Sequence, residues 1–324
     1  MRRFVTFILI FLLLILAPFS HKQAANANGG TINIVCTVFP QYDWVLQILG
    51  SKAENMNMTL LLNNRIDLHN FQPSVDDIIK ISTCDLFIYV GGESDKWVEN
   101  VIKAATNKNM VVINLIKELG ASAKIEEIIE GMQDENEHED DDHEDELEAE
   151  YDEHVWLSLK NAITFCSVIT NALSSLDADN AEVYQNNLNA YVEKLSALDS
   201  DYQAVVDAAS VKTLLFGDRF PFRYLLDDYG LSYHAAFPGC SAETEASFET
   251  IIFLAKKMDE LNLRNVMVTE STDESIAKTI INSTRDKNQQ ILALYSMQSV
   301  TANDVTTFIS IMENNLNVLK EALR

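Results

Sequence analysis

Positive charge is scarce in this chain of 324 residues: 24 Lys and Arg stand against 49 Asp and Glu, a formal net charge of −25. No basic face or Lys/Arg cluster exists beyond the N-terminus, which argues against nucleic acid as a partner. Cysteine is sparse as well. Cys36, Cys84, Cys166 and Cys240 follow no compact disulfide spacing, and a chain this long needs no staples, so they read as buried thiols. Long apolar runs are missing apart from "FVTFILIFLLLILA" near the start, which is shorter than the roughly 20 residues a spanning helix needs. No H-E-x-x-H pair is present, so the helix-borne ligand pair of many zinc hydrolases is absent.

What the N-terminus does have is the layout of an export signal. Arg2 and Arg3 precede the apolar run, and the small-residue stretch "AANAN" favours cleavage after Ala27. No Cys follows the run until Cys36, inside the strand-like "TINIVCTVF", so a lipid-bearing cysteine is not expected. The mature protein is expected to work outside the cytoplasm, in a periplasm or on the extracellular face. Negative charge is concentrated at residues 134–153, where fourteen of the residues are carboxylates and His138 and His143 are threaded among them. Such a stretch reads as a solvated loop, either a plain acidic spacer or a collector of cations by long-range attraction.

Elsewhere, short apolar β-branched runs alternate with helix-like stretches. "TINIVCTV", "MTLLL", "DLFIYV" and "MVVINL" read as strands, and Ser74 is placed to cap the helix begun by "PSVDDIIKI". The alternation breaks near residue 120 and resumes at "KTLLFG". Between lies a long helical region. Residues 180–210 contain no Gly or Pro and repeat Tyr, Leu and Val at helical spacing, predicting a helix of ~30 residues, on the order of 45 Å long. The expected fold is therefore α/β: two lobes, each a parallel-sheet domain, joined by a helical spine, with the site in the cleft between them. The expected division is a signal at 1–27, an N-terminal lobe at 28–156 including the acidic loop, a helical linker at 157–210 and a C-terminal lobe at 211–324.

Only six histidines are available for chemistry. His69 lies in "RIDLHNFQPS", at a strand's carboxyl end, and His154 lies in "DEHVWLS", just after the acidic run. Taken singly, each could be an ordinary loop residue. Together, in this order and at this distance, "DLHNFQPS" and "DEHVWLS" resemble the paired motifs of the substrate-binding proteins of zinc and manganese ABC transporters. The resemblance spans essentially the whole mature chain, and it implies that His69 and His154 ligate metal from the N-terminal lobe. It also places the acidic stretch where the zinc-preferring branch carries a His- and acid-rich loop.

The C-terminal lobe departs from that pattern. Gly217 occupies the place of the usual third ligand, with Asp218 beside it as the substitute, and Tyr295 occupies the place of the usual fourth. Glu270, ending "NVMVTE", points from a strand's carboxyl end and completes the expected metal set of His69, His154, Asp218 and Glu270. Glu243, Glu245 and Cys240 are further candidates, and His234 within "LSYHAAF" reads as a packed strand residue. Asp67 is placed either to orient the His69 ring or to shape its turn. Two imidazoles with one or two carboxylates suit Zn²⁺ and accept Mn²⁺, with zinc favoured by the loop. The function implied is non-enzymatic: capture of a divalent metal ion and delivery to an ABC-transporter permease. A zinc-dependent hydrolase and a surface adhesin are the alternatives.

Overall fold

The computed structural model describes residues 31–133, 150–241, 245–270 and 272–324. The expected signal at 1–27, most of the acidic stretch with His138 and His143, and Glu243 lie outside these residues. The β-branched runs form strands β1 (Ile32–Cys36), β2 (Met56–Leu60), β3 (Leu86–Tyr89) and β4 (Val111–Asn114), joined as a parallel sheet in the order β2-β1-β3-β4. A second parallel sheet, in the order β6-β5-β7-β8, contains β5 (Thr213–Phe220), β6 (Ser232–Pro238), β7 (Asn265–Thr269) and β8 (Gln290–Leu294). Parallel neighbours require long crossovers. Helices α1 (Phe39–Leu49), α2 (Val75–Thr83) and α3 (Val98–Ala104) supply them in the first lobe. In each sheet the first strand lies inside, so successive crossovers leave it in opposite directions and open a crevice at the strands' carboxyl ends.

After the short helix α4 (Leu115–Leu119), the chain reaches α5 (Leu159–Leu176) and α6 (Ala181–Ala208). Helix α6 has 28 residues and so spans about 42 Å. Its buried side chains, Tyr184, Leu188, Tyr191, Leu195, Leu198, Tyr202 and Val206, recur every three or four residues along one stripe. Asn187 Nδ2 donates to Ile48 O at 2.8 Å in the first lobe. Tyr202 Oη donates to Met312 O at 2.6 Å, on the terminal helix α10 (Phe308–Ala322). The second lobe's remaining helices are α7 (Arg223–Tyr229), α8 (Phe248–Leu261) and α9 (Ser275–Ser283).

The two lobes share core rather than merely touching. Trp44 of α1 packs against Phe165 of α5 (centroids 5.7 Å apart) and edge-on against Phe308 of α10 (5.2 Å), all fully buried. Trp156 Nε1 donates to Ser296 O across the lobes at 2.8 Å. Residues 125–133, which the sequence division groups with the first lobe, lie against the second: Gln133 N donates to Ala236 O at 3.0 Å, and Gly131 abuts Phe253.

The start of α10 depends on a residue from the other lobe. Buried Asp43 of α1 accepts from Phe308 N at 2.9 Å and from Gln47 Nε2 at 3.1 Å. Removing that acceptor leaves a buried N–H without a partner, at a cost of about 1–3 kcal/mol. Asp43→Ala is therefore expected to lower the urea unfolding midpoint with an unchanged slope. Asp43→Asn, which keeps an acceptor oxygen, should lose less; equal losses in the two variants would refute the hydrogen-bond account.

Candidate metal centre

The loop after β2 makes one 3₁₀ turn at Leu68–Asn70, because Asp67 Oδ1 accepts from His69 N at 3.1 Å. This turn aims the His69 ring across the crevice. His154 arrives from the segment leading into α5, where its own N–H donates to Asp152 Oδ1 at 2.9 Å. The two rings meet with Nε2 atoms 3.4 Å apart. In a tetrahedral zinc site with Zn–N bonds of about 2.0–2.1 Å, neighbouring nitrogens are separated by about 3.4 Å.

Each Nδ1 faces a hydroxyl or a carboxylate. His69 Nδ1 lies 2.9 Å from Ser94 Oγ and 3.3 Å from Glu153 Oε2, while His154 Nδ1 lies 3.1 Å from Asp152 Oδ1. Glu153 is in turn fixed by Ser94 N, which donates to its Oε1 at 2.7 Å. A neutral imidazole has one N–H, and a buried carboxylate demands it. A ring protonated on Nδ1 presents its Nε2 lone pair toward the crevice, which is the form that binds a metal. Gln298 adds an amide. With its amide nitrogen 2.7 Å from Asp67 Oδ1, its oxygen stands 3.2 Å from His154 Nε2. This orientation is assigned from the network, because the reverse would set the amide oxygen against the carboxylate.

Two imidazole nitrogens and the Gln298 amide thus converge on one point, and the surroundings favour positive charge there. Burial alone would depress the pKa of His69, but contact with Glu153 and the charges of Asp67 and Glu153 leave it raised. The Sγ of Cys240, in the turn after β6, completes a group with the His69 and His154 nitrogens in which all ligand atoms lie within 4.8 Å of one another. Burial holds its thiol well above the ordinary value, and the charges of Glu126, Asp152 and Glu153 push the same way. The preceding residue must be glycine for this approach. A Cβ on Gly239 would sit 2.8 Å from Phe220 O and 3.1 Å from His154 Cε1.

The structure brings His69 and His154 together but keeps Asp218 and Glu270 outside that group. Strand β5 continues past Gly217, and its pairing with β6 is irregular between Phe216 and Arg219. Asp218 Oδ2 accepts from Thr269 N (2.9 Å) and Oγ1 (2.5 Å), and its Oδ1 accepts from Arg219 N (2.8 Å). Both of its oxygens are already engaged. Glu270 lines an adjoining cavity of about 120 Å³ with Arg65, Arg219 and Gln298, where Ser296 N and Oγ donate to its carboxylate at 2.8 and 3.0 Å.

The other candidates lie elsewhere. A Cβ at Gly217 would meet Ala277 Cα at 2.8 Å, so that position has no room for a ligand side chain. Tyr295 is 45% exposed and lines a separate hollow, and Glu245 is exposed. His234 packs edge-on against Phe253 on the far strand β6. Cys36, Cys84 and Cys166 are buried free thiols.

One expectation needs correction, and one open alternative is decided. Asp152 and Glu153 are the last residues of the supposedly solvated acidic run, yet they are 2% and 1% exposed and position the two histidines. Pairing with the imidazoles offsets their burial. Asp67, in contrast, does not hold the Nδ1 of His69. It shapes the turn and pairs with Arg219 Nη2 at 2.9 Å, and Glu153 takes the orienting role.

A family model described as the periplasmic component A of a zinc-uptake complex matches residues 34–322. The zinc-binding lipoprotein AdcA of Streptococcus pneumoniae serotype 4 is 29% identical over 309 residues, covering 95% of this chain and 58% of AdcA. The chain thus spans less than two thirds of that relative. The high-affinity zinc uptake system protein ZnuA of Bacillus subtilis is 28% identical over 304 residues, covering 94% of this chain and 91% of ZnuA. The crystal structure of the Zn(II)-bound ZnuA-like domain of S. pneumoniae AdcA superposes with a TM-score of 0.69 at 26% identity, covering 91% of this chain and 99% of that domain.

The tautomers are open to direct test. At a pH well above the ordinary histidine value of about 6.5, long-range ¹⁵N–¹H spectra of the zinc-loaded protein should show protonated Nδ1 and metal-bound Nε2 in both rings. A proton on Nε2 of either ring would overturn the geometry described above.

Proposed function

Because the chain belongs to the zinc-uptake complex component A family, we propose that it is an extracytoplasmic solute-binding protein. It captures a divalent metal ion, zinc in preference to manganese, and hands it to a membrane permease of an ABC transporter. The observation that carries this reading is the pair of imidazole Nε2 atoms 3.4 Å apart, each ring beside a buried carboxylate. His69 and His154 would bind the ion directly. Glu153 would raise the basicity of the His69 ring, and both carboxylates would help fix the direction of the rings.

The metal is cargo here, and no reaction is required of it. Among the described residues, no helix is long and apolar enough to cross a membrane. The acidic residues that line the centre, with Arg219 drawn aside by Asp67, favour arrival of a dication. The names of the AdcA and ZnuA relatives support zinc as the ion.

His69→Ala and His154→Ala should each weaken zinc binding by more than the 10–100-fold that loss of an outer partner costs. The double variant should lose much less than the sum, since one missing ligand already spoils the site. Competition against a chromophoric chelator measures both. Tight zinc binding in either single variant would sink the capture reading. Lowering pH protonates the ligating imidazoles and so releases metal. Because the pKa of His69 is raised, the loss should begin above the ordinary histidine value of about 6.5.

A further inference from the structure

Two nitrogens from one side do not enclose an ion, and the C-terminal lobe must supply the rest. Its candidates can be eliminated by what they already touch. Gly217 has no space for a side chain, both oxygens of Asp218 are engaged by β7 and Arg219, and Tyr295 lines a different hollow. Glu270 is taken by Ser296 and Ser299. Among the described residues of that lobe, only Cys240 brings a side chain of the usual metal-binding types into the group formed by the two histidines.

We infer that Cys240 is the second lobe's metal ligand, and that its sulfur makes this a His₂Cys centre selective for zinc against manganese. The inference rests on the capture reading and adds to it the basis of metal choice.

The geometry requires little adjustment. With Zn–S of about 2.3 Å and Zn–N of about 2.0–2.1 Å, a sulfur and a nitrogen on one tetrahedral zinc stand about 3.6 Å apart. One ligand atom from each of the three residues already lies within 4.8 Å of the others, so closure onto one ion draws the turn after β6 inward. Gly239 admits that turn beside His154, and Glu126 holds it from outside by accepting from Cys240 N at 2.9 Å. The Gln298 oxygen, 3.2 Å from His154 Nε2, stands where a fourth donor would.

Ligand softness then sets the preference. Thiolate suits zinc, whereas manganese favours carboxylate, carbonyl and water. Because Asp218 and Glu270 are held by other partners, the carboxylates that would favour manganese are withdrawn from the ion.

The test uses the full mature chain. Cobalt(II), a spectroscopic stand-in for zinc, should give a thiolate-to-metal charge-transfer band with the unaltered protein, and zinc should protect Cys240 from iodoacetamide in a peptide map. Cys36, Cys84 and Cys166 are buried and should stay unlabelled with or without metal. Cys240→Ser should lose the band, weaken zinc at least tenfold and change manganese binding less than threefold. The spectrum and the peptide map need no variant, so they decide even if Cys240→Ser fails to fold. If the unaltered protein binds zinc tightly with no thiolate band and no protection, the inference falls while metal capture stands. If it binds no zinc, both fall together.

Discussion

Two buried carboxylates hold the centre of this protein together. Glu153 and Asp152 each face the Nδ1 of a different histidine. A carboxylate in the interior is costly unless paired. Here Asp152 lies 3.1 Å from His154 Nδ1, while Glu153 accepts from Ser94 N and turns its other oxygen toward His69. The sharing extends outward. Ser94 N anchors Glu153, Gly92 leaves room for it, and the Tyr224 hydroxyl donates to the backbone of Asp152.

The fold serves this pairing by delivering two loops to one point. His69 stands after β2, on a turn made by Asp67, and His154 stands at the entry to α5, 85 residues later. The second lobe is brought against them by α6 and by the core that Trp44, Phe165 and Phe308 build across the boundary. That core explains why the turn after β6 can lie beside His154 at a separation that leaves no room for a Cβ on Gly239.

Much of this was legible in the sequence because its signals are local. The β-branched runs, the Ser74 cap and the helical stripe of α6 are each set by neighbours within a few residues, and they appear where the pattern puts them. His69 and His154 were legible for the same reason, inside short strings with their turn-forming acids. The C-terminal side of the centre was not. Asp218 sits at a strand's end as read, but the irregular pairing of β5 places its carboxylate on Thr269, 51 residues away. Gln298 reaches His154 across 144 residues, and no local pattern marks such an encounter. Asp152 and Glu153 were hidden by composition: they end a run of like residues, and only the fold separates them from the rest.

The segment that carries His69 also carries the fastenings between the lobes. Asn63 accepts from Ala302 N at 2.8 Å, Arg65 pairs with Asp304 at 2.9 Å, and Asp67 pairs with Arg219 at 2.9 Å. With the lobes joined behind by a shared core, a wide hinge motion would have to break that core, whereas lifting residues 63–69 would break these contacts, the Asp67–Gln298 hydrogen bond and the burial of Leu68. The Arg65–Asp304 pair lies at the exposed rim, where such pairs contribute little and weaken with salt. A docking surface that competed for Arg65 and Asp304 would loosen that one fastening without disturbing the core behind it.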